Sequence, residues 1–167
     1  MDNYKVFKNF LSHPECDELS SWIFSKQNTF IFQNANMGGH RYTTRYTNPS
    51  SFSYPSLAYQ IQERIISVLD LQNFNLPSYK DGMVASHAHP DDICYEHLDP
   101  EWYPNKRTLH CNAVLNDFKG GEPYIENQTL KIQKRDLICY FVSEKKHGSH
   151  KVLGTTPRNL WIFGFCI

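Results

Sequence analysis

The sequence predicts a mainly β fold of the α+β class: a jelly roll, or double-stranded β-helix, with N-terminal helices packed on one face. Three observations carry this. Helix signals are confined to the first part of the chain. From Met83 onward the pattern changes to short β-branched and aromatic runs divided by turn residues. Eight such runs follow, enough for two facing sheets. With 167 residues, 40% of them hydrophobic and 14% aromatic, the chain can bury one substantial core. One domain over 1–167 is expected, with helical support over 1–78 and the jelly-roll core over 79–167.

The first helix is signalled by Ser12-His13-Pro14-Glu15, where a capping hydroxyl precedes a proline in the first turn and a glutamate three residues on. Leu19, Trp22 and Ile23 supply its apolar stripe. An extended piece at Phe30-Ile31-Phe32 leads into a loop over 34–48, marked by Gly38-Gly39 and Asn48-Pro49 and interrupted by one β-like run at 42–46. A second helix starts near Pro55, with Leu57, Ile61, Ile65 and Val68 at helical spacing and Glu63 and Arg64 on the wet side. The candidate strands are 83–87, 93–99, 108–115, 123–125, 129–133, 137–142, 150–153 and 159–165.

Composition narrows the function. Seventeen basic residues balance seventeen acidic ones, so no global field draws nucleic acid or an anionic membrane. The start, Met1-Asp2-Asn3-Tyr4, has neither a basic leader nor an apolar segment, and no apolar run approaches a bilayer span. A cytoplasmic protein, monomeric or homodimeric and without a membrane partner, is expected. The five cysteines, Cys16, Cys94, Cys111, Cys139 and Cys166, form an odd set with no Cys-x-x-Cys pair, which fits reduced residues, the last four of them as small hydrophobes in apolar or strand-like segments.

The chemistry concentrates in His97-Leu98-Asp99. Residues i and i+2 of a strand share a face, so both ligand-type side chains can point into the barrel while Leu98 points out. A rival pair, His89 and Asp91, flanks Pro90. Proline cannot donate to a ladder, and Pro90-Asp91-Asp92 has the composition of a tight turn, which makes 83–87 and 93–99 the arms of a hairpin and favours His97 and Asp99. A third ligand should come from a distant strand. His147 and His150 are both candidates, and His150 is preferred because it opens an apolar β-like run, whereas His147 lies among Lys, Gly and Ser. Two imidazoles and one carboxylate on one face of an octahedral ferrous ion leave the opposite positions open.

The series from Met83-Val84-Ala85 through His97-Leu98-Asp99, Arg107, Leu115-Asn116, Gly120-Gly121-Glu122 and His150-Lys151-Val152 to Arg158 resembles the iron- and 2-oxoglutarate-dependent dioxygenases, and most of all the prolyl 4-hydroxylase branch. The resemblance covers roughly 79–165. It implies that His97, Asp99 and His150 bind Fe(II), that 2-oxoglutarate chelates the metal, and that Arg158 pairs with its distal carboxylate through a planar guanidinium fork. Val152 would line the same pocket. Where relatives often carry a tyrosine just before Leu-Asn, this chain has Val114, so Asn112 on the same strand face is expected to supply a polar contact. The implied reaction is hydroxylation of a C–H bond with O2, releasing succinate and CO2, with ascorbate as an accessory reductant. A carboxylate ligand leaves no position for halide and argues against a halogenase.

For substrate, the resemblance favours proline or another amino acid, free or within a peptide or protein. Trp102, Tyr103 and Arg107 lie in a loop beside the metal ligands, and the 34–48 loop, with His40, Arg41 and Arg45, can act as a lid. Three alternatives stay open: a cupin-type protein that holds a metal or small ligand without turnover, a zinc-dependent hydrolase or isomerase on the same ligands, and an oxygenase acting on nucleic acid.

Overall fold

Ser12 caps the first helix. Its hydroxyl accepts from the Glu15 N–H at 3.3 Å while the Glu15 carboxylate accepts from the Ser12 N–H at 2.7 Å, so α1 (His13–Lys26) begins with both bonds of a capping box. The structure is a computed structural model that describes residues 4–33, 41–45 and 47–167. Cys16, Leu19 and Ile23 form the buried stripe of α1. The second helix, α2 (Ser56–Leu69), follows Pro55 and stops at Asp70 in the left-handed conformation. Its buried stripe is Ala58, Ile61, Gln62 and Ile65, rotated from the expected one, and Val68 is half exposed. Gln62 is tolerated there because its amide donates to the Asp81 carbonyl at 2.9 Å.

Seven antiparallel strands make the major sheet, in the order β1 (Lys5–Phe7), β10 (Leu137–Phe141), β6 (Thr108–Val114), β13 (Arg158–Cys166), β4 (Met83–Ala88), β3 (Arg41–Thr43) and β2 (Ile31–Gln33). The minor sheet has the order β5 (Cys94–His97), β11 (His147–Ser149), β8 (Pro123–Ile125) and β9 (Gln128–Thr129). A short ribbon joins β12 (Val152–Leu153) to β7 (Lys119–Gly120). This is a jelly-roll arrangement with the helices on one face.

Strict alternation divides the major sheet. Leu109, Cys111 and Ala113 of β6, Trp161, Phe163 and Phe165 of β13, and Leu137, Cys139 and Phe141 of β10 pack with Leu19, Ile23, Ile61 and Ile65 in one core. Each large apolar side chain buried there contributes about 1.5–3 kcal/mol. The intervening positions, His110, Asn112, Tyr140, Arg158, Leu160 and Ile162, face the other way and line a cleft. The helices thus stiffen the sheet from behind and leave its polar face for chemistry.

The structure corrects several expectations. A tight turn does occur at His89–Asp92, where Asp92 N–H donates to the His89 carbonyl at 3.1 Å, but β4 and β5 do not pair as hairpin arms. The chain crosses there from the major to the minor sheet, where β5 pairs with β11. The 150–153 run splits, so that β11 ends at Ser149 and only Val152–Leu153 remains extended; the 129–133 run is reduced to the end of β9. The three-residue edge strand β1, Lys5-Val6-Phe7, has no alternation to announce it. Of the 34–48 loop, residues 34–40 and 46, His40 among them, lie outside the described residues. Among the described residues no helix is long and apolar enough to cross a membrane.

Candidate metal centre and its cleft

β5 and β11 are antiparallel, and their register sets His147 directly opposite His97. Directly opposed residues share a sheet face, so the rings stand 4.4 Å apart between centroids. Asp99 follows β5 and is fixed by its N–H, which donates to the Val142 carbonyl at 2.9 Å. Ligand atoms of His97, Asp99 and His147 all fall within 4.8 Å of one another.

His150 is not part of this group. It lies three residues beyond His147, an odd step that turns it to the opposite side of the minor sheet. There it is exposed, its ring packs beside Tyr124, and its Nε2 is 2.9 Å from the Thr129 hydroxyl. The preference for His150 rested on the apolar run that follows it; the cross-strand register, a non-local property, instead brings in His147. His89 lies at the turn, its ring against Tyr42 and His87, away from the cluster.

Hydrogen bonding prepares both imidazoles for a cation. His97 Nδ1–H donates to the Tyr95 carbonyl at 2.7 Å and His147 Nδ1–H to the Lys145 carbonyl at 2.9 Å, which turns each Nε2 toward the cluster; at His97 that nitrogen carries the proton it shares with Asp99, which a bound cation would displace. His97 Nε2 lies 3.2 Å from Asp99 Oδ1. Burial alone would raise the Asp99 pKa, but the His97 hydrogen bond and the charge of Arg45 hold it far below the usual carboxylate range. Burial opposes charge on His97 too, and is outweighed by the bonds to Asp99 and Cys94, which push it up to about 10. Burial keeps His147 neutral, lowered to about 4. An anionic carboxylate and two oriented imidazoles are the donor set of a facial-triad ferrous site, so the residues fit such an ion.

Behind the cluster, His110 is fully buried and lowered to about 3 by desolvation. Its Nδ1 faces Asp99 Oδ2 at 3.8 Å, so Nε2 accepts from the Tyr79 hydroxyl at 2.9 Å. On the open side, Arg45 Nη2 lies 3.6 Å from Asp99 Oδ2.

The cleft is narrow, with a cavity volume of about 40 Å3, and opens to solvent. Arg158 lies in its wall, 3% exposed, with Nη1 donating to the Gly121 carbonyl. Gly121 has φ +67°, and an added Cβ would come within 2.9 Å of Val152 Cγ2 and 3.6 Å of Arg158 Nη1. Val152 is therefore buried beside the arginine rather than exposed in the cleft. Val114 is also buried and packs in the apolar cluster with Ile125 and Ile138. Asn112 does line the cleft, its amide donating to the Tyr140 hydroxyl at 3.2 Å. Among the described residues, Arg158 Nε and the Ser149 hydroxyl are buried without a protein partner, two donors suited to a carboxylate. Tyr140 and Ser149 were missed from the sequence. Tyr140 was legible in principle as the one polar-tipped residue on the inward face of the 137–142 run.

Trp102 and Tyr103 are not among the residues lining the cleft, Trp102 packing against Tyr79 at 5.4 Å between ring centroids and Tyr103 partly exposed. Arg107 is engaged at the surface by Glu144 and stacks on Phe141.

Sequence comparison finds no matching family model and no matching curated protein. Solved structures do match in fold. A viral collagen prolyl hydroxylase from Paramecium bursaria Chlorella virus-1, in its 2-oxoglutarate complex, superposes with a TM-score of 0.72 at 16% identity, over 99% of this chain and 97% of that one. HygX from Streptomyces hygroscopicus, with nickel, 2-oxoglutarate and hygromycin B bound, gives 0.69 at 12% identity, over 98% and 82%. A Trichoplax adhaerens prolyl hydroxylase in complex with a hypoxia inducible factor peptide fragment gives 0.68 at 11% identity, over 100% and 84%. The chain has the jelly-roll fold of these prolyl hydroxylases and 2-oxoglutarate-binding proteins.

Proposed function

We propose that the protein is an Fe(II)- and 2-oxoglutarate-dependent dioxygenase that hydroxylates a C–H bond of an amino-acid, peptide or protein substrate. The observation that carries this reading is the convergence of His97, Asp99 and His147 at a cleft whose wall holds the buried Arg158. The fold shared with proteins solved with 2-oxoglutarate, nickel or iron supports it.

His97, Asp99 and His147 hold the ferrous ion. A ferrous ion held by these residues would supply O2 activation coupled to conversion of 2-oxoglutarate to succinate and CO2. The protein's own work is positional. Arg158 receives the distal carboxylate of the co-substrate, with the Ser149 hydroxyl and the Asn112 and Tyr140 side chains as polar neighbours. Leu160 and Ile162 keep that end of the cleft apolar and exclude water. His110 and Tyr79 hold the outer oxygen of Asp99 from behind. The whole 1–167 chain acts as one such unit.

The test is anaerobic addition of Fe(II) and 2-oxoglutarate, followed by absorption spectroscopy in the visible range and by succinate release on admitting O2. The expected result is a metal-to-ligand band and succinate formation, both lost in His147→Ala and with the band weakened in Arg158→Ala. Iron binding without the band or succinate would favour a non-catalytic cupin-type role. Turnover with Zn(II) that ignores O2 would overturn the oxygenase reading.

A further inference from the structure

The two oxygens of the Asp99 carboxylate meet different neighbours. Oδ1 lies 3.2 Å from Nε2 of His97, a fellow member of the ligand cluster. Oδ2 instead has Arg45 Nη2 at 3.6 Å and His110 Nδ1 at 3.8 Å. The side chains of Asp99 and Arg45 are each 5% exposed and that of His110 3%, so water screens these contacts little. Both neighbours of Oδ2 are braced by one residue. The Tyr79 hydroxyl donates to His110 Nε2 at 2.9 Å, which leaves the Nδ1–H for the carboxylate, and the Arg45 guanidinium lies over the Tyr79 ring, 5.4 Å from its centroid. Tyr79 is itself seated against Gly164 of β13, where an added Cβ would collide with its hydroxyl. At its other end Arg45 is tied to β3, its N–H donating to the Thr43 hydroxyl at 2.8 Å. The fold thus sets a guanidinium and a buried imidazole N–H against one oxygen of a metal ligand.

A carboxylate can bind a metal through one oxygen or chelate it through both, and the choice decides how many positions remain. In the dioxygenase reading, on which this inference rests, three protein donors leave half of an octahedral ion for co-substrate and O2, and a fourth donor would close one of those positions. We propose that Arg45 is a positioning residue that, braced on Tyr79 and aided by His110, engages Asp99 Oδ2 so that the carboxylate offers a metal Oδ1 alone. The same contact weakens the hold on the metal. A guanidinium draws electron density from the carboxylate and repels a cation on its far side, the reverse of an outer carboxylate that makes a histidine ligand more basic. Removing the charge should therefore tighten metal binding while closing a position, two effects that a merely structural arginine would not combine.

The experiment uses the full chain, unmodified and as Arg45→Met, Arg45→Gln and Arg45→Lys, with Mn(II) as the probe. Free Mn(II) is counted by its electron paramagnetic resonance, water on the bound ion by proton relaxation of the solvent, and 2-oxoglutarate binding to the Mn(II)-loaded protein by calorimetry. Arg45→Met is expected to bind Mn(II) about tenfold more tightly, to lose about one third of the relaxation enhancement as one of about three bound waters leaves, and to bind 2-oxoglutarate about tenfold more weakly. Arg45→Gln, which keeps a neutral donor, should show the same pattern reduced, and Arg45→Lys should return all three values toward those of the unmodified protein. Thermal unfolding of the metal-free proteins checks the fold; if the methionine variant does not fold, the glutamine variant is read in its place. Weaker Mn(II) binding overturns the inference and marks a structural arginine. Unchanged Mn(II) binding with weaker 2-oxoglutarate binding overturns it and assigns Arg45 to direct contact with the co-substrate, and unchanged water relaxation overturns it as well. All three leave the oxygenase reading intact. An unmodified protein that binds no Mn(II), or binds it without taking up 2-oxoglutarate, overturns both.

Discussion

His147 and His97 face each other across the β5–β11 ladder with their rings 4.4 Å apart, each donating its Nδ1–H to a main-chain carbonyl. Because register fixes this pairing, the two histidines near the end of the chain are not interchangeable. His147→Ala is expected to weaken Fe(II) or Mn(II) binding by about 100-fold or more, since a ligand matters more than the outer partners whose loss costs about 10–100-fold. His150→Ala is expected to leave it within about twofold of the unmodified protein. Anaerobic titration calorimetry of the two variants measures this; equal losses would contradict the register argument.

Gly121 determines where Arg158 lies. Gly121→Ala places a methyl group against Val152 in a left-handed conformation that L-residues adopt at a cost of about 1–2 kcal/mol. The carbonyl that accepts from Arg158 must then shift. The expected outcome is a lowered urea midpoint and a raised KM for 2-oxoglutarate, with kcat less affected. An unchanged KM alongside lower stability would show that the arginine does not depend on this turn.

His87 donates from Nδ1 to Asn159 Oδ1 at 2.6 Å and is held neutral, its pKa lowered from 6.5 mainly by burial. Below pH 6.5 the unfolded chain takes up a proton that the native ring refuses until a lower pH. Stability from this residue is therefore complete above about 6.5 and is lost as pH falls, by at most about 1.4 kcal/mol per pH unit. Urea unfolding between pH 5 and 8 should show His87→Gln losing part of this slope. An identical slope in the variant would place the dependence on other buried histidines.

The capping box of α1 is expected to contribute about 1 kcal/mol. Ser12→Ala should lower Tm by a few degrees, and Ser12→Asp, which keeps an acceptor oxygen, should not. Glu15 also pairs with Arg64 of α2 at 3.0 Å, so Glu15→Ala should cost more than the serine change.

What the sequence made legible was local or periodic. Ser12 and Glu15 announced a helix start because both cap partners lie within one turn, and the apolar runs at 108–115 and 159–165 announced strands, observed at 108–114 and 158–166. His97 and Asp99 were legible for the same reason, being two residues apart on one extended segment. The third histidine was not, because His147 is brought to the cluster by pairing with a strand fifty residues earlier, while the local composition around the two pointed to His150. The Pro90 turn was legible as a turn, but which strands it joins depends on sheet partners beyond its own neighbourhood. Tyr140 escaped because its role depends on Asn112, a neighbour on another strand.

The place of β13 has a consequence for how the polypeptide matures. It is the last of the strands along the chain yet the middle one of the major sheet, bonded to β6 on one side and β4 on the other. Until the ribosome has released that segment, the strands already made remain as two separate groups with open edges and no shared interior. Such long-range closure is slow and leaves the nascent polypeptide open to aggregation. Assembly should therefore be abrupt and wait on that strand, and a synthesis intermediate halted before Arg158 should be protease-sensitive throughout.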